Sequence, residues 1–189
     1  MIDLTQACSR TAAVLGQVGE HQLRAATPCS DMDLAALIAH VGGLAPAFTA
    51  AARKEFGPLT DTPPHLVEQP DEGWRQLYPA RLAELAQAWR DPAAWEGMSR
   101  AGGVDFPAEL GGLIALSEVV VHGWDVAAAA GLPYTVDDGV LQVLLPHVSA
   151  FAADPVEGLF DAPVPVPDDA PLLDRVLALT GRDPAWSAG

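Results

Sequence analysis

The chain has 189 residues, half of them apolar, with 25 acidic against 10 basic side chains and a formal charge of −15. That length suits one core-bearing domain, and an aromatic share of only 6% beside abundant Ala and Leu favours helix over sheet. A field this negative repels phosphate backbones and anionic headgroups, so no nucleic acid and no membrane surface is expected as a partner.

In chain order, the first helix is predicted over residues 4–18, where Leu4, Ala7, Cys8, Thr11, Val14, Leu15 and Val18 share one face. Asp3 and Arg10 interrupt any leader-like pattern, and no segment reads as a bilayer span, which makes the cytoplasm the expected location. A break follows at Ala26-Thr27-Pro28-Cys29. Ser30 is the predicted N-cap of a second helix over 31–54, with Asp33 at its third position. Leu34, Leu37, Ile38, Val41 and Leu44 form its buried stripe, His40 lies among them, and Gly42-Gly43 weaken it or admit a close neighbour. The two cysteines, Cys8 and Cys29, lack CxxC or zinc-knuckle spacing and read as free thiols of a reducing compartment.

Residues 57–70 hold four prolines and no periodicity, a predicted loop. A third helix over 71–89 points Trp74, Leu77, Leu82, Leu85 and Trp89 inward, and 91–106, with Gly97, Gly102 and Gly103, reads as an irregular connector. The fourth helix spans 107–130, with Pro107 at its first position and Gly131 just past its end. A fifth covers 137–152, kinked or divided at Pro146. A proline-rich segment over 154–171 should be extended, and a short helix at 172–179 stops at Gly181. The expected architecture is an all-α bundle over residues 1–153 with a tail over 154–189 packed on it.

Within the fourth helix, Glu118-Val119-Val120-Val121-His122 places a carboxylate and an imidazole on one face of an apolar run. Burying them without partners is costly, so a compensating group is required. Two answers fit: a divalent metal, for which both are good ligands, or a hydrogen-bonded Glu–His pair in the core. Bundle metal sites are built from facing helices, and His40, set in another apolar stripe, fits as a third ligand, the alternative being a satisfied core histidine. His21, His65 and His147 are assigned no role. Asp125, three residues past His122, either orients that ring or is a solvated helix residue, with the second reading preferred. Trp124 is read as a cleft wall or core. Arg182 is read as a surface ion pair, or as the cation for a substrate carboxylate if the tail folds over the site.

The stretch TPCSDMDLAALIAHVGG resembles the N-terminal signature of the mycothiol-dependent maleylpyruvate isomerase-like proteins. ALSEVVVHGWDVAAAAG resembles the second signature of that family, and GRDPAW the ending of its short actinobacterial members. These proteins form part of the DinB-like superfamily of metal-binding four-helix bundles. The resemblance implies a DinB-like bundle and a metal held by His40, Glu118 and His122. It also implies zinc as the metal, with nickel or iron as alternatives, and mycothiol as cosubstrate. Two departures stand out. Met32 occupies a position that is usually Trp, a packing change. The isomerase itself carries an additional C-terminal domain that takes part in catalysis, so its own reaction does not transfer to a chain with only a short tail.

Three functions follow for comparison. The leading one is a metal-dependent transferase or isomerase joining a low-molecular-weight thiol to a small-molecule electrophile. The others are a hydrolase using metal-bound water and a non-catalytic metal-binding or sensor domain. The absence of a clear fourth protein ligand favours the enzymes, since catalytic zinc keeps an open position. A homodimer is left open by the sequence.

Overall fold

An apolar face repeating every three to four residues cannot stay in water, and four such faces meet here around one core. The computed structural model describes residues 2–63, 65–153 and 160–188. Helices α1 (Thr5–Leu15), α2 (Leu34–Arg53), α4 (Trp74–Ala88) and α5 (Ala108–Ala130) form the bundle, with the single turn α3 (Pro58–Asp61) after α2. Helices α1 and α2 each pack against both α4 and α5, closing a four-membered ring. Leu4, Leu15, Leu37, Ile38, Leu82, Leu85, Leu116 and Val120 are fully buried at its centre. Helix α6 (Asp138–Ala153) leans on α5, and α7 (Leu172–Leu179) packs on α6. The fold class expected from the sequence is the one found.

Local chemistry moves several boundaries. Helix α2 starts later than predicted: Asp33, not Ser30, is its N-cap, the carboxylate accepting from the Ala36 amide at 2.9 Å. Residues before it are drawn into a turn in which the Thr27 hydroxyl donates to the carbonyls of Cys29 and Met32. Inside α2, Pro46 has no N–H for the Gly42 carbonyl one turn back, and Arg81 donates to that oxygen at 3.0 Å instead. Leu77 is exposed rather than inward, and Tyr78 takes the buried place, seated against Gly42 where a Cβ would fall inside its ring. Pro107 caps α5 from outside rather than opening it, and α6 runs through Pro146 undivided.

The predicted connector is partly a hairpin, β1 (Met98–Ala101) paired antiparallel with β2 (Val104–Pro107). Gly102 and Gly103, at φ 59° and 79°, make its two-residue turn. Ser99 anchors it on α2 by donating to the Ala51 carbonyl.

Contrary to the sequence expectation, α2 and α5 are long and apolar enough to cross a membrane, with mean hydropathies of 1.6 and 1.4 over their best windows. Those windows are 72% and 67% buried inside the bundle, so protein packing already covers most of that apolar surface. The expected boundary at 153/154 and the first part of the expected extended segment, residues 154–159, lie outside the described residues. Residues 160–171 contain no regular helix or strand, and the tail lays Phe160, Leu172, Leu173, Val176 and Trp186 on the bundle core.

Candidate metal centre

Helix α2 presents His40 and α5 presents Glu118 and His122 to a common point where the two helices pack. Their positions follow from the stripes: Leu37, Ile38 and Val41 flank His40, and Val119, Val120 and Val121 separate Glu118 from His122, all buried. Glu118 Oε2 lies 3.3 Å from His40 Nε2 and 3.2 Å from His122 Nε2. One ligand atom from each of the three side chains falls within 4.8 Å of the others, and the two imidazoles meet edge to face at 4.7 Å between centroids. The sequence-predicted trio is therefore brought together. His21 and His65 are exposed, and His147 is buried on α6 with its ring against Phe151 of the same helix, outside this cluster.

The donor set fits a divalent cation on geometry. Ligand atoms about 2.1 Å from a tetrahedral zinc stand about 3.4 Å apart, close to the two separations measured from Glu118 Oε2. Electrostatics agree. Burial would raise the Glu118 carboxyl, but hydrogen bonds and charge from His122 and His40 outweigh it and hold the group ionised, well below the usual carboxylate range. Burial would lower His122, but Asp125 and Glu118 outweigh it and push the ring up to about 9. The ionised Glu118 carboxylate thus presents negative charge at the point where the two imidazoles meet. The side chain of His40 is 26% exposed against 10% for His122, so the open side lies toward His40.

Behind His122 the sequence reading needs correction. Asp125 is not solvated but fully buried, with Oδ2 3.0 Å from His122 Nδ1. Arg182 is neither on the surface nor directed at the cation position. It is 5% exposed and reaches Asp125 with Nη2 at 3.2 Å and Nε at 3.4 Å. The i, i+3 spacing of His122 and Asp125 was a usable signal; the long-range partner was not visible locally. Trp124 is half-buried against the core. Burial raises the Cys8 thiol to about 12 and the Cys29 thiol to about 11, which disfavours the thiolate of either at neutral pH.

A helical bundle carrying a two-histidine, one-carboxylate cluster between facing helices defines a class of candidate metalloproteins. Residues 4–127 match the family model described as mycothiol maleylpyruvate isomerase N-terminal domain, and the chain belongs to that family. Two uncharacterized proteins from strains of Mycobacterium tuberculosis are each 28% identical over 177 residues, 90% of this chain and 91% of the relative. The fold is shared with the crystal structure of the mycothiol-dependent maleylpyruvate isomerase, at a TM-score of 0.59 and 22% identity over 80% of this chain and 70% of that one.

Proposed function

We propose that the protein is a metal-dependent enzyme in which His40, Glu118 and His122 hold one divalent ion, zinc in the first instance. The reaction proposed is a transfer or isomerisation on a small electrophile, with a low-molecular-weight thiol, mycothiol, as cosubstrate. The observation that carries the reading is the convergence of three donors from two helices, with one carboxylate oxygen 3.2 and 3.3 Å from the two imidazole nitrogens. The family description supplies the thiol.

When bound, such an ion withdraws charge from a thiol sulfur and favours the thiolate, the nucleophilic form. The chain's own residues do the rest. Asp125 accepts the Nδ1 proton of His122, which leaves Nε2 as the ligand nitrogen. Glu118 contributes the negative charge that lowers the cost of a divalent ion between two apolar helices. The partly exposed flank of His40 is the approach for thiol and electrophile. Burial disfavours the thiolates of Cys8 and Cys29, which is consistent with a nucleophile supplied from outside the chain. We place this chemistry in the cytoplasm, consistent with two unpaired cysteines.

The test is a panel of electrophiles incubated with zinc-loaded protein, with and without mycothiol, and with Glu118→Gln as control. Turnover that needs both metal and thiol is expected. Turnover that needs metal and ignores thiol assigns the chain to the hydrolases, and a saturated metal site without turnover assigns it to the binding modules.

A further inference from the structure

Asp125 is fully buried, and a carboxylate there must be compensated or lose its charge. Once Nε2 ligates a metal, His122 is a neutral imidazole, and its one Nδ1–H leaves the charge of Asp125 intact. The compensation comes from Arg182, 57 residues further along the chain, whose fork spans both carboxylate oxygens.

Arg182 is itself fixed from behind. Its Nη1 donates to the Thr180 carbonyl at 2.8 Å, and its backbone amide donates to the Leu177 carbonyl at 3.0 Å, closing the end of α7. The turn requires Gly181, at φ 80°, where a side chain would also strike Asp161. Val176, Leu177 and Ala178 at 0–2% exposure seat α7 on its neighbours. The guanidinium is thus delivered by a rigid turn, and it sets the plane of the Asp125 carboxylate that receives the His122 proton.

We infer that Arg182 is a positioning residue of the metal centre: it acts through Asp125 to orient His122, and so couples docking of the C-terminal tail to metal binding. This rests on the metal reading above. Coupling of this kind is reciprocal, so metal should also tighten the tail. Outer partners of ligand histidines typically account for about 10–100-fold in metal affinity.

The experiment measures the zinc dissociation constant of the full chain by competition with a chromophoric chelator. The variants are Arg182→Lys, the double variant Asp125→Leu/Arg182→Met, and His122→Ala. Replacing the buried pair with apolar side chains removes the charge problem and leaves the His122 Nδ1–H without its acceptor, so the metal-free double variant should be far closer to wild type in thermal stability than a variant lacking one charged partner. Its zinc affinity should nonetheless fall about 10–100-fold. Arg182→Lys keeps the cation, loses the fork, and should weaken zinc by less. Wild-type affinity in a stable double variant shows the pair to be only structural and overturns the inference. If the double variant does not fold, wild-type affinity in Arg182→Lys overturns it equally. Undiminished zinc binding by His122→Ala would overturn the metal reading itself, which separates the two failures.

Discussion

Gly42 and Gly43 stand side by side in α2, one turn from His40, and the structure predicts opposite results for the same substitution. In the interior of a helix, Ala is favoured over Gly by about 0.8–1 kcal/mol. At Gly43 the residue is exposed and a Cβ meets nothing within 4 Å, so Gly43→Ala should realise most of that gain. At Gly42 the new Cβ falls within the Tyr78 ring. Tyr78 cannot easily yield: it is 2% exposed, its hydroxyl accepts from the Asp71 amide at 2.8 Å, and Arg81 lies over its face. Overpacking of this kind costs about 1–3 kcal/mol, and a ring held on three sides belongs at the upper end. Subtracting the propensity gain leaves Gly42→Ala destabilised by about 2 kcal/mol.

For a chain of this size 1 kcal/mol moves Tm by about 2–4 °C. Thermal unfolding followed by circular dichroism should therefore show Gly42→Ala lower by about 4–8 °C and Gly43→Ala higher by about 2–4 °C. Equal shifts of one sign in both variants would refute the close α2–α4 approach at Tyr78.

Further outcomes follow from the site and from the core. His40→Ala and His122→Ala should each lose most bound zinc on elemental analysis, because two protein ligands remain. Equal metal in both variants and in wild type would reject the ligand set. Since the proton on His122 persists up to about pH 9 in the metal-free site, a cation must displace it. Zinc affinity measured from pH 9 to pH 6 should therefore fall about tenfold per unit, and a flat profile would contradict that competition. His147 is buried with Nε2 unpaired among the described residues, and burial pulls its ring down to about 4. The unfolded chain takes up that proton from about pH 6.5, so this contribution to stability is full above 6.5 and is lost as pH falls toward 4. In urea titrations His147→Leu should lose less stability than wild type between pH 7 and 4.5, and equal losses would exclude the effect.

The bundle was legible because its stripes are regular. The stripe residues Leu4, Ala7, Cys8, Thr11, Val14, Leu15 and Val18, in and beside α1, and Leu34, Leu37, Ile38, Val41 and Leu44 of α2 were identified as buried and are. The trio His40, Glu118 and His122 was legible for a related reason: polar groups within apolar runs demand partners, and three of them do meet. What failed was short-range competition. Ser30 and Asp33 are both good caps, and the Thr27 hydroxyl decided between them by tying Cys29 and Met32 into a turn. Gly102-Gly103 carried a hairpin signal that four-residue strands were too short to support through alternation. Asp125 was underestimated because its compensating charge, Arg182, comes from a distant turn. No local pattern reports a contact at that separation.

X-ray absorption at the zinc edge of the reconstituted protein, before and after mycothiol is added, reads whether His40, Glu118 and His122 hold a metal open to a thiol. Two imidazole nitrogens and a carboxylate oxygen are expected at about 2.0–2.2 Å, with one sulfur at about 2.3 Å that is absent before the thiol is added. A first shell without imidazole, or one that gains no sulfur at saturating thiol, would contradict that reading.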